Sequence, residues 1–223
     1  MTITEPATLA TDYLLAVFTA WLARRLALAS RVAEWNGFVE RAGAQQWWSV
    51  AFLATAIAGA AGGTVHGFEH VMARRLTHLL WLVTLESLVV AAFAVVSAAI
   101  VLLGFRRTAT FAATFAAAVA FGSYGLWVVK HPVFLAAIAA YGAAFAVLLA
   151  VRLRARPIDR AGRFLIAGIV VSVVAAAVQQ SGWSLHPNFN HNDLYHVVQA
   201  VGVWLLYRGA MTSERSFDVL RPT

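Results

Sequence analysis

Runs of about 20 mostly apolar residues, each long enough to cross a bilayer as a helix, recur seven times along this chain of 223 residues. In hydrocarbon every backbone polar group must be satisfied within the protein, and runs of this length achieve that as α-helices. The expected spans are about 9–29, 46–66, 78–103, 108–129, 133–153, 164–180 and 191–207, the last being shorter and more polar than the rest. Little chain remains between them, so residues 1–223 form one transmembrane domain with no room for a separate soluble one. Composition agrees: 61% of residues are apolar, 12% are charged and mean hydropathy is +0.73, far from the usual balance of a soluble domain. The expected fold class is all-α, a polytopic membrane bundle of seven transmembrane helices.

The basic residues orient that bundle. The stretch before the first span has no Lys or Arg, the first connection and the helix end beside it hold Arg24, Arg25, Arg31 and Arg41, and the third holds Arg106 and Arg107. The fifth holds Arg152, Arg154, Arg156, Arg160 and Arg163, and the tail holds Arg208, Arg215 and Arg221. Only Arg74, Arg75 and Lys130, of 17 basic residues, fall on the other side. The positive-inside rule therefore predicts N-out, C-in, which requires an odd number of spans. The expected location is the inner (cytoplasmic) membrane, with the lipid bilayer as principal partner. The formal charge of +7 reflects these interfacial arginines. No basic, aromatic-interleaved soluble surface exists for nucleic acid, which is not an expected partner. The N-terminus lacks the basic start of a cleavable signal, so the first span is expected to persist in the mature protein.

Several chemistries are excluded outright. Without cysteine there is no disulfide, iron–sulfur cluster, thiolate zinc site or cysteine nucleophile. No phosphate loop, dinucleotide fingerprint, nucleophile elbow or His-Glu-x-x-His pair is present.

What remains is histidine. With the topology fixed from Lys and Arg alone, all seven histidines fall at the extracytoplasmic level: His66, His70 and His78 around the second connection, His131 at the fourth, and His186, His191 and His196 around the sixth. Imidazole is the commonest metal ligand and the proton carrier of neutral pH, so this sorting predicts one polar pocket, with metal as one occupant. The segment Gly62-Gly63-Thr64-Val65-His66-Gly67-Phe68 ends the second span. Its paired glycines allow close helix approach, and Gly67 is expected to end the helix in a left-handed conformation. His78 opens the third span. Glu86 lies two turns further in, roughly 12 Å deeper, where an acidic side chain costs ~3 kcal/mol and marks a functional position.

The stretch Gln179 to Gln199 is the richest in hydrogen-bonding groups. Asn190 or Asn192 can cap the last helix, with Asp193 in its first turn favoured by the helix dipole. Asp193, His196 and Gln199 recur at three-residue spacing, a polar stripe that should face the bundle interior. The aspartate can ligate beside the histidine or orient it from behind. His131 and His186 each precede a proline and read as turn residues. The candidate metal ligands are therefore His66, His191, His196 and His78. Asp193 and Glu86 are the candidate acid–base or orienting carboxylates.

The segments Gly-Gly-Thr-Val-His-Gly-Phe and Phe-Asn-His-Asn-Asp-Leu-Tyr-His resemble those of an uncharacterised family of bacterial seven-helix membrane proteins, a resemblance that implies no activity. More remotely, the layout is similar to the alkaline ceramidase and adiponectin-receptor-like superfamily of seven-helix zinc hydrolases. That likeness implies zinc held by His66 together with His191 and His196. The sequence departs from the superfamily where Gly62 stands in place of a serine, where His191 and His196 are five apart rather than four, and where His78 replaces an early aspartate of the third helix.

Three functions follow as expectations. The first is a zinc-dependent membrane hydrolase acting on a lipid amide or ester, three imidazoles leaving a fourth position for water and Asp193 or Glu86 handling protons. The second is a haem-binding redox protein with His66 and His196 as axial ligands. The third is a non-enzymatic, proton- or ligand-responsive membrane protein.

Overall fold

A computed structural model of the protein describes residues 3–154, 157–186 and 189–212; Arg156, Pro187, Asn188, Arg215 and Arg221 lie outside them. The described residues form seven helices: α1 (Pro6–Trp35), α2 (Val39–Phe68), α3 (Arg74–Leu102), α4 (Arg107–Lys130), α5 (Phe134–Arg154), α6 (Arg160–Ser181) and α7 (His191–Thr212). Each expected span lies on one of them. Several helices run further than the apolar stretch, because backbone pairing continues into the headgroup region, where Arg31 and Glu34 of α1 are at home. The helices α1 to α6 are long and apolar enough to cross a membrane, and the protein is a multi-pass membrane helix bundle. The helix α7, with its polar first turns, falls below that hydropathy.

Six helices form a closed ring, with α2 between α1 and α3, α7 between α1 and α6, and α5 between α3 and α6. The helix α3 is the deepest buried, and α4 lies outside the ring against it, with only Gly125 and Val128 buried. The tightest seams are α1 against α2 and α6 against α7, whereas α5 and α6 touch sparsely. Glycine explains the tight ones. On α2, Gly59, Gly63 and Gly67 face α1 one turn apart; a Cβ on Gly63 would lie 2.7 Å from Asp12 Cβ, and one on Gly67 would lie 3.0 Å from the Leu9 methyls. Such small-residue stripes let helices approach where lipid removes the usual hydrophobic drive. Between α1 and α2 the contact also carries hydrogen bonds, Ser30 Oγ to Ala42 O at 2.8 Å and Ser49 Oγ to Ala23 O at 2.9 Å.

One expectation fails here. Gly67 does not end α2 in a left-handed conformation: the helix continues to Phe68, and its C-cap Glu69 is right-handed. Close packing against Leu9 is what its missing side chain permits. Left-handed glycines instead follow α1 at Gly37, α3 at Gly104 and α6 at Gly182, the last with φ 67°.

Antiparallel succession brings the start of α1, the end of α2, the start of α3, the end of α4, the start of α5, the end of α6 and the start of α7 to one end. All seven histidines are there. The opposite end carries the arginines of the α1–α2, α3–α4 and α5–α6 connections. At that end the Arg152 side chain is buried and donates to Asp159 Oδ1 at 2.8 Å. The same oxygen accepts from Gly162 N at the start of α6.

Candidate functional site

The start of α7 is built by its own sequence. Asn190 is the N-cap: its Oδ1 accepts from Asn192 N at 2.7 Å and Asp193 N at 3.4 Å, while Asp193 Oδ2 accepts in return from Asn190 N at 2.6 Å. This is a reciprocal capping box with aspartate at the third position. It fixes the first turn, so that His196, one turn on, points into the ring. Asp193 is buried, and its other oxygen lies 3.5 Å from Thr11 Oγ1. Its carboxylate holds the helix start and the α1 contact.

His196 is buried, and both of its ring nitrogens are engaged by α1. Nε2 lies 3.1 Å from Asp12 Oδ1, and Nδ1 lies 2.9 Å from Thr11 Oγ1. The Thr11 hydroxyl is also 3.0 Å from Ala7 O. It has a single proton, so with Asp12 as a carboxylate two arrangements are fully bonded. When the hydroxyl donates to Nδ1, the ring is neutral, with its own proton on Nε2 facing Asp12. When the hydroxyl donates to Ala7 O, the ring is an imidazolium donating to both Thr11 and Asp12. The two differ by one proton and by one hydroxyl rotation. Asp12 is 5% exposed, and its Oδ2 has no hydrogen-bond partner among the described residues. A carboxylate has room for about four donors, and this one is met by one.

Asp12 and His196 form part of the wall of a cavity of about 180 Å³ inside the ring, together with His66, His191, Asn192, Tyr195, Gln179, Thr55, Thr84 and Trp81. His66 and Trp81 also border a larger outer vestibule of about 760 Å³, lined by Glu69, His70, Arg74, Thr77 and His78. Between the two, His66 Nδ1 stands 3.4 Å from Glu5 Oε2, and Trp81 Nε1 donates to Pro132 O at 2.9 Å.

The sequence candidates thus separate. His66, His191 and His196, from two distant stretches of chain, come to one cavity. His78 lies in the vestibule, as does His70. Glu86 faces α4, where a Cβ on Gly125 would be 2.6 Å from Glu86 Oε2, and it lines neither cavity. His131 stacks on Trp127 at the end of α4, as expected of a turn histidine.

The residue that sequence reasoning missed is Asp12. A signal was present: it is the one acidic residue within the expected first span, although at three residues in, roughly 4.5 Å, the depth rule bears on it less strongly than on Glu86. Thr11 had no such signal. Its hydroxyl could have satisfied itself on its own helix, and only the fold brings it to α7.

The described donors do not fit zinc as they stand. Among the described residues no group of three or more His, Asp or Glu is placed to hold a metal. His196 spends both nitrogens on α1, and the His66 ring is turned to Glu5.

The chain belongs to a family of unknown function, DUF6962, whose family model matches residues 7–215. No curated protein and no solved structure matches it. None of these comparisons supports the likeness to alkaline ceramidases, which rests on the helix layout.

Proposed function

We propose that this is a non-enzymatic, ligand-responsive membrane protein that takes a small protonated amine into the cavity beside Asp12 and His196. Its N-terminus and its histidine end face outward from the cytoplasmic membrane, an orientation supported by the arginines at the opposite end. The single observation that carries the reading is the buried Asp12 carboxylate in the wall of the cavity: its Oδ1 meets His196, and its Oδ2, occluded from the cavity as it stands, has no partner among the described residues, so a small turn of the carboxylate would offer it to a donor. Leaving such a group unsatisfied costs more than pairing it. An ammonium supplies both the missing donors and the opposite charge. The vestibule gives an approach from water, and His66, which borders both the vestibule and the cavity, is held by Glu5.

The test is binding of butylamine to the purified protein in nanodiscs, read by calorimetry. A charge-assisted hydrogen bond contributes roughly 1.5–3 kcal/mol, so Asp12→Asn should weaken binding by about 10- to 150-fold. Equal affinity for wild type and Asp12→Asn would refute the reading.

A second reading, a zinc-dependent hydrolase of a lipid amide or ester, is favoured by the meeting of His66, His191 and His196 at one cavity. It requires the His196 ring to leave Asp12 or Thr11 and the His66 ring to leave Glu5. Elemental analysis of wild type beside His66→Ala and His196→Ala tests it: about one zinc per chain, lost in both variants, would establish this reading over the first.

A further inference from the structure

Below the Asp12 cavity lies a second cavity of about 180 Å³, reaching toward the middle of the bundle. The two share Leu15, Thr55, Leu88, Phe134 and Tyr195 as a common wall. Neither alone attains the roughly 300–1,000 Å³ of ordinary ligand pockets; joined across that wall they do. Their chemistry differs. The lower compartment is walled by Ala137, Ile138, Phe145, Val173 and Ala176. Most of its polar groups are paired among themselves, Thr55 with Tyr141 at 2.9 Å and Gln199 with Ser172 at 3.3 Å. The Tyr195 hydroxyl on the shared wall is the neutral exception, whereas the charged group, Asp12, lies in the upper cavity.

The lower compartment also has a side door. It lies where α5 and α6 meet sparsely. Val173 borders it and is still 57% exposed, so this side chain stands between the compartment and the outside of the bundle. Across from it, a Cβ placed on Gly142 would meet nothing within 4 Å. At this depth the outside is lipid.

We infer that the ligand is a single-chain amphiphile with an ammonium head, which enters sideways from the bilayer between α5 and α6, its alkyl tail filling the lower compartment and its head reaching Asp12. The inference rests on the reading of Asp12 as an amine site and adds the tail site and the route. An apolar tail passing from lipid into an apolar compartment loses nothing, and the head leaves the interface only because Asp12 receives it.

The experiment uses the full chain in zwitterionic nanodiscs with dodecylamine bearing a diazirine near its chain end, and a matched dodecanoic acid probe as control. After photolysis, label from the amine should concentrate on the α5 and α6 residues lining the compartment, about tenfold above the acid probe, a discrimination of roughly 1.4 kcal/mol. Gly142→Trp, which obstructs the door, and Ala176→Phe, which fills the compartment, should each remove that label while keeping butylamine binding. Retained butylamine binding shows that the variants are folded. If butylamine binds in an Asp12-dependent way but amine and acid probes label α5 and α6 equally, or neither filled variant changes the labelling, the tail site is refuted and the head site stands. If wild type does not bind butylamine, both fall.

Discussion

Two adjacent glycines of α2 offer a sharp contrast. A Cβ on Gly63 would stand 2.7 Å from Asp12 Cβ and 3.2 Å from the Tyr13 ring, while a Cβ on Gly62 would meet nothing nearer than Thr84 Cγ2 at 3.4 Å. Carbon atoms attract best at about 3.5–4.0 Å, so Gly63→Ala falls short by roughly 1 Å. Neither Cβ atom can rotate away, since both are fixed to their backbones, and α1 must move off α2. Overpacking of this kind costs about 1–3 kcal/mol, which lowers the folded-to-unfolded ratio by roughly 5- to 150-fold. Asp12 is the atom group displaced, so its contact with His196 at 3.1 Å loosens as well. Gly62→Ala adds a methyl at ordinary contact distance and should change stability by less than about 1 kcal/mol, helix propensity favouring alanine. Thermal unfolding followed by tryptophan fluorescence in one detergent compares the two. Gly63→Ala should melt several degrees lower than Gly62→Ala and bind butylamine more weakly. If the two variants melt together, the glycine stripe is not the seam described here.

Other consequences are as direct. Gly125→Ala places its methyl 2.6 Å from Glu86 Oε2; the carboxylate is the free end of a flexible side chain and can swing aside, so the loss should be about 0.5–1.5 kcal/mol, the cost of shifting a rotamer, and an additive double-mutant cycle with Glu86→Ala would contradict the contact. Asp159→Ala strands the buried Arg152 guanidinium and removes the α6 cap, so unfolding experiments should show a loss of roughly 3–5 kcal/mol, whereas replacing Arg152 and Asp159 together by Leu and Ser should cost less. Thr11→Val deletes the hydroxyl partner of His196 Nδ1 at a cost of about 0.5–1.5 kcal/mol with little change in side-chain shape; thermal unfolding should show that loss, and an unchanged melt would contradict the bond.

Much of this architecture is legible in the sequence, because hydropathy and arginine placement act through the bilayer and need no tertiary detail. The seven helices fall where the apolar runs fall, and the Asn190 cap of α7 is a local hydrogen-bonding pattern within four residues. The gathering of histidines at one end follows from alternation alone. Side-chain direction is what the sequence withholds. Glu86 and His78 share a helix with residues of the cavity, but Glu86 turns toward Gly125 and His78 toward the vestibule, a matter of helix phase that hydropathy does not specify in so uniformly apolar a segment. The partner of His196 is harder still. Asp12 belongs to the opposite end of the chain, and only the ring closure of α1 on α7 brings the two together.

That closure also has a temporal meaning. Thr11 and His196 are 185 residues apart, so during synthesis the first helix enters the membrane with its aspartate long before the imidazole that receives it has been made. Until α7 is made, Asp12 has no imidazole to meet, and an acid without its partner inside a span is costly. The polar opening turns of α7 meet α1 through Thr8, Thr11 and Asp12, so the two helices complete the pocket together.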